Sequence, residues 1–162
     1  MIVVDSNVIA YCWIRSDRTE LAQRVRLRDR QWHAPVLWRS ELRSGLAVYL
    51  WRGVIEADRA AQTMAAAEEA LAGCEHQVSS GRVLQLAVSS RLSAYDCEFV
   101  ALAESLAVPL VTEDRAVLKA FPDVALTMED FLASFPATPP AAHQKGTRYR
   151  TLARAPRAKA KK

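Results

Sequence analysis

The sequence lacks most of the devices that would place it quickly in a functional class. Its five glycines are scattered, and none forms a GxGxxG or GxxxxGK[ST] loop, which excludes the common phosphate-cradling nucleotide sites. No apolar run approaches the roughly 20 residues needed to cross a bilayer. The N-terminus has no basic region or small-residue cleavage site, and Asp5 breaks its apolar start, so no signal peptide is expected. Cys12, Cys74 and Cys97 are odd in number and show no CxxC spacing. They read as reduced packing thiols of a cytoplasmic protein rather than a disulfide frame or a zinc site. No internal repeat is visible. His33, His76 and His143 fall in no metal-ligand motif.

Acidic charge is also missing from one stretch. No Asp or Glu follows Asp130, while Lys145, Arg148, Arg150, Arg154, Arg157, Lys159, Lys161 and Lys162 supply eight of the 22 basic residues. Residues 1–144 therefore carry 14 basic against 18 acidic side chains, and the high isoelectric point belongs to the tail. "PATPPAA" breaks the pattern of ordered segments, so 137–162 is expected to be a disordered basic extension behind a domain of residues 1–136. The extension is either a solubilising terminus or an electrostatic tether for nucleic acid.

The remaining residues suffice for one domain with a real core. "IVV" (2–4) reads as a buried strand, "HAPV" (33–36) as a second and "VPLVT" (108–112) as a third. "HQVSSG" has room for a strand, and "VALT" (124–127) is the last. Helical spacing marks the stretch around Leu21 and Val25, then 37–52, 57–72 with Gly73 as a stop, 82–90, 93–107, 115–121 and 128–135. Strands alternating with helices imply an α/β fold, a three-layer α/β/α sandwich around a mostly parallel sheet.

In such a sheet the C-terminal strand ends share one edge, where ligand sites form. Asp5 directly follows the first strand, and Asp114 follows "VPLVT" by one residue. Glu41 lies early in the helix after "HAPV", and Asp96 in the first turn of the helix after Ser93. Each has an ordinary structural explanation: Asp5 and Asp114 as helix N-caps, Ser93 to Asp96 as a capping box, Glu41 as a solvated glutamate. Together, four carboxylates at one edge would repel one another and raise their pKa values. A divalent cation relieves that conflict, and magnesium or manganese prefers such hard oxygen donors while bridging to phosphate. The set points to metal-assisted phosphodiester chemistry.

"VVDSNV" with Asp5, "WRSEL" with Glu41, and "LSAYDCEFVALAESLAVPLVTED" with Asp96 and Asp114 together resemble a PIN domain, closest to the VapC-type toxins of bacterial toxin–antitoxin pairs. The likeness spans roughly residues 1–135, and the basic tail is no part of the family pattern. It implies a Mg2+-dependent ribonuclease, with Mn2+ able to substitute. Asp5, Glu41, Asp96 and Asp114 match the acidic quartet; Asp5 and Asp96 would be the most direct metal ligands, Glu41 and Asp114 binding directly or through water. Thr112 matches a supporting hydroxyl, and Asn7 or Ser6 would orient Asp5. Arg43 is placed to hold a substrate phosphate, or is a solvated helix arginine. The resemblance also implies an RNA substrate, a homodimer, a cognate antitoxin protein and no membrane association. Trp13, Trp38 and Trp51 offer surfaces for such partners, although core burial accounts better for at least two of them.

The expected reaction is hydrolysis of RNA by a metal-activated water with a carboxylate as general base, leaving 5′-phosphate and 3′-hydroxyl ends. Phosphatases of the haloacid-dehalogenase type need an aspartate where Asn7 stands, and receiver domains need an acceptor aspartate on a central strand. Two further alternatives are a PIN-like RNA-processing nuclease without a toxin role and a non-catalytic RNA-binding module.

Overall fold

A computed structural model describes residues 1–134; the expected basic extension at 137–162 lies outside the described residues. The chain runs β1 (Ile2–Val4), α1 (Ser6–Trp13), α2 (Thr19–Arg28), β2 (Trp32–Pro35), α3 (Trp38–Trp51), α4 (Ala57–Ala70) and β3 (Glu75–His76). It continues through α5 (Ser80–Ser90), α6 (Ala94–Leu106), β4 (Leu110–Val111), α7 (Arg115–Ala120), β5 (Ala125–Leu126) and α8 (Met128–Ser134).

The five strands form one sheet in the order β3-β2-β1-β4-β5, parallel throughout. β1 is central because it is apolar at every position and buried on both faces: Ile2 and Val3 pair with Trp32 and His33, while Val3 and Val4 pair with Leu110 and Val111. The strands are short, but the ladder outruns their formal ends. Asp5 N–H donates to Val111 O, Thr112 N–H to Leu126 O, and Val36 N–H to His76 O. Those bonds fix the residues just past each strand end, which is where the carboxylates stand.

Helices cover both faces, giving the expected three-layer α/β/α architecture. α6 lies against β1, β2 and β4 with α5 packed on it, while α1 packs with α2, α3 and α4, and α2 with α8. Burial of Cys97 and of the run Phe99–Ala103 explains why α6 is rich in Ala, Leu and Val rather than amphipathic. α4 is followed by Gly73 at φ +75°, a left-handed turn that glycine enters without steric cost and that redirects the chain into β3.

Several boundaries differ from the sequence reading. β2 begins at Trp32 rather than His33, because the indole is fully buried and carries the strand's inward alternation one residue earlier. β4 keeps only Leu110–Val111 of "VPLVT", since Pro109 has no N–H to continue the ladder. Of the tryptophans, Trp38 is fully buried; Trp13 is half-buried and meets buried Trp32 edge to face at 5.9 Å. Trp51 is 82% exposed. Among the described residues no helix is long and apolar enough to cross a membrane.

Candidate active site

Asp5 and Asp114 occupy the same topological position, directly before a helix at a strand's C-terminal end, yet their side chains do different things. Asp114 is a true N-cap: its Oδ1 accepts from Ala116 N–H at 2.7 Å and Val117 N–H at 3.1 Å. Asp5 makes no side-chain cap bond to α1. Its Oδ2 instead accepts from Thr112 Oγ1 at 2.5 Å and from Asn7 Nδ2 at 2.8 Å. Capping is thus the main role of Asp114, whereas at Asp5 the Ser6 and Asn7 backbone amides only oppose the rise in its pKa and the well-formed side-chain bonds go to Thr112 and Asn7.

Thr112, fully buried, is the hub. Its hydroxyl donates to Asp5 and accepts from Asp114 N–H at 3.0 Å, so one side chain ties together the ends of β1 and β4. Asn7 locks the same junction, its Nδ2 also reaching Thr112 Oγ1 at 3.3 Å and its Oδ1 accepting from Glu113 N–H at 3.3 Å. Of the two residues expected to orient Asp5, Asn7 does so. Ser6 instead donates its hydroxyl to Glu41 Oε2, bridging α1 to α3.

Asp96 is held by Ser93, whose hydroxyl donates to Asp96 Oδ2 at 2.7 Å while accepting from Asp96 N–H at 3.1 Å. This departs from a reciprocal capping box, in which the carboxylate would reach back to the Ser93 amide. The other Asp96 oxygen accepts no hydrogen bond among the described residues.

The electrostatics bind three of the four into one system. Burial pushes the Asp5 carboxyl up to about 6; the Thr112 hydrogen bond opposes this, and the charge of Glu41 adds to it. Burial also raises Glu41, with the Ser6 hydrogen bond opposing and Asp96 adding. Glu98, which the sequence reading missed, is raised by burial and then by Glu41. Among the described residues none of Asp5, Glu41, Asp96 and Asp114 forms an ion pair with a basic side chain. Asp114 joins the group through the backbone, by way of Thr112.

Arg43 is exposed and folds back on its own helix, its Nε donating to Arg39 O at 3.0 Å and its Nη2 to Ser40 Oγ at 3.2 Å. None of these contacts reaches the carboxylates. Glu113, beside Asp114, plays a structural part, since its Oε1 accepts from Met128 N–H at 3.0 Å and so caps α8.

The donor set has the chemistry of a hard divalent cation site: carboxylate oxygens only and, among the described residues, without an ion-paired basic partner. It is not a closed ligand shell, since among the described residues no three His, Cys, Asp or Glu side chains converge as a ready-made metal cluster. The oxygens that hydrogen bonds leave uncommitted, on Asp5, Glu41, Asp96 and Asp114, are those that fit an ion retaining much of its water.

Comparison with known proteins identifies the family. The chain is 29% identical over 125 residues to Ribonuclease VapC3 of Pyrobaculum aerophilum, an alignment covering 75% of this chain and 95% of that protein. The crystal structure of PAE2754 from Pyrobaculum aerophilum shares the fold, with a TM-score of 0.66 at 19% identity over 83% of this chain and 88% of that one. The PIN domain family model matches residues 2–124, an interval containing Asp5, Glu41, Asp96, Asp114 and the Thr112 hub, and the chain belongs to the PIN domain family.

Proposed function

We propose that this chain is a divalent-metal-dependent endoribonuclease and the toxin of a VapBC-type toxin–antitoxin pair. Membership of the PIN family and similarity to a VapC ribonuclease support a nuclease. The observation that carries the reading is the electrostatic chain Asp5–Glu41–Asp96, buried enough to raise two of its members and, among the described residues, without an ion-paired basic counter-charge.

In this reading Asp5 and Asp96 contribute the most direct ligands for Mg2+ or Mn2+, and Glu41 and Asp114 complete the set. When bound, the cation lowers the pKa of water and offsets charge on the scissile phosphate. The protein supplies the rest. Thr112 and Asn7 fix the Asp5 carboxylate against rotation, and Ser6 does the same for Glu41. Glu41, with its raised pKa, is suited to take the proton of the attacking water, because a base works best when its pKa approaches the operating pH. Attack by water rather than by the ribose 2′-hydroxyl leaves 5′-phosphate and 3′-hydroxyl ends.

The VapC likeness supports homodimerisation and an antitoxin partner, and exposed Trp51 at the end of α3 and Val54 in the α3–α4 connection supply apolar surface for a partner chain. The free thiols suit a cytoplasmic location. The test is cleavage of end-labelled structured RNA by the purified chain. It should proceed with magnesium or manganese, stop in excess chelator, and yield fragments that a 5′-phosphate-dependent exonuclease degrades. Undiminished cleavage in chelator, or 2′,3′-cyclic phosphate ends, contradicts the reading.

A further inference from the structure

Beside the carboxylates lies an open groove of about 450 Å³ between the end of β3 and the N-terminal halves of α5 and α6. Val36, Val83 and Leu84 give it apolar walls, while Gln77, Ser80 and Glu98 bring polar groups to it. Val36 and Gln77 directly follow the C-terminal ends of β2 and β3, so the groove opens on the same sheet edge as Asp5 and Asp114. Glu98 stands two residues after Asp96 on α6, about 3 Å further along the helix axis.

Among the described residues the side chains of Gln77, Ser80 and Glu98 make no hydrogen bond within the protein, unlike those of Asp5, Glu41 and Asp96. An amide, a hydroxyl and a carboxylate left free around apolar walls match how proteins take up an extruded base: a flat face against aliphatic side chains, its edge read by hydrogen bonds. Tyr95, which separates Ala94 of the groove from Asp96 in sequence, is 62% exposed.

We infer that this groove is a nucleobase subsite, in which Gln77 and Glu98 read one unpaired base of single-stranded RNA next to the acidic cluster. The base carries an exocyclic amino group. Glu98 accepts from such an amine, and the Gln77 amide both donates and accepts. Uracil, whose single ring N–H lies between two carbonyl oxygens, would turn acceptors toward the carboxylate and is disfavoured. The identity of the polymer rests on the ribonuclease reading; the base preference is an independent property of the groove.

The test is fluorescence-anisotropy binding of the full chain, in chelator so that no cleavage occurs, to oligouridylates of about eight nucleotides. Each carries a single central A, C or G, and the all-uridine oligomer is the reference. At least one substitution should tighten binding about tenfold, the scale of a good base-edge contact. Gln77→Ala and Glu98→Gln should each reduce that preference, measured against the same variant's binding of the all-uridine oligomer, to below about threefold. Leu84→Trp, at a position 61% exposed where bulk is tolerated, fills the groove and should abolish the preference. Equal binding of all oligomers, or a preference that survives all three substitutions, overturns the assignment. Metal-dependent cleavage without base preference overturns the groove and spares the ribonuclease reading. Base-selective binding without metal-dependent cleavage supports the groove and contradicts that reading.

Discussion

Glu68 and Glu75 converge on an arginine, whereas Asp5 and Glu98, each under the charge of Glu41, and Glu41 itself form no ion pair with a basic side chain among the described residues. Arg39 Nε and Nη2 donate to the two Glu75 oxygens at 2.5 and 2.8 Å, and Nη1 reaches Glu68. Trp38 Nε1 adds a further bond to Glu75 at 2.8 Å. The Arg39 hydrogen bond holds the Glu75 carboxyl below the usual range, while burial pushes Asp5, Glu41 and Glu98 above it, helped by the charge of Glu41 on Asp5 and Glu98 and of Asp96 on Glu41. The same helix, α3, takes part in both: Arg39 neutralises one region, and Glu41, two residues on, charges the other. A fold able to neutralise carboxylates has left one set unneutralised at the sheet edge where ligands bind. The first set serves stability; in the proposed function the second is arranged for a bound cation.

The sharpest way to break this contrast is Asp5→Asn. Losing a partner that merely orients a metal ligand already costs about 10–100-fold, so removing a ligand charge should reduce metal-dependent cleavage at least a hundredfold. Metal-free stability should move the opposite way at neutral pH, rising by roughly 1–2 kcal/mol as desolvation of the charge is relieved. The pH dependence has a defined sign. The folded-state carboxyl of Asp5 is raised to about 6, so its stabilising contribution is full below the unfolded value and is lost as pH rises through about 6. Chemical denaturation in chelator should therefore show wild type gaining about 1 kcal/mol between pH 7 and pH 5 from this residue, and Asp5→Asn lacking that gain.

Arg39→Met addresses the other half. It strips two carboxylates of their counter-charge and should cost about 1–2 kcal/mol of stability after solvent screening, with cleavage per folded molecule nearly unchanged. The smallest structural effect belongs to Asp114→Asn. Asparagine caps a helix about as well as aspartate, so thermal stability should stay within about 0.5 kcal/mol, whereas Asp114→Ala should lose about 1 kcal/mol. Cleavage by Asp114→Asn should nonetheless fall about tenfold or more, which a purely capping aspartate would not produce.

Much of this was legible in the chain alone. The parallel sheet followed from apolar runs alternating with helical periodicity, and the shared edge for Asp5, Glu41, Asp96 and Asp114 followed from the rule that parallel strands end together. The division of labour was not legible. Asp5 and Asp114 look alike in sequence, and only the position of Thr112, more than a hundred residues from Asp5, shows which one caps a helix. Thr127 and Asp130 repeat the hydrogen-bond pattern of Ser93 and Asp96, with Oγ1 to Oδ2 at 2.7 Å and N–H to Oγ1 at 3.0 Å. That local motif therefore carries no function by itself. Glu98 escaped notice because two residues along a helix turn it about 200° from Asp96, and only the placement of α3 brings Glu41 within electrostatic reach of both.

The central claim, that the uncompensated carboxylates await a divalent cation, is tested most directly by thermal melting during titration with manganese. A ligand that binds only the folded state at a hundred times its dissociation constant adds about 2.7 kcal/mol. Wild type should therefore gain several degrees in melting temperature, Arg39→Met should gain as much from its lower start, and Asp5→Asn should gain little. An equal shift in wild type and Asp5→Asn, or none in either, would contradict the account.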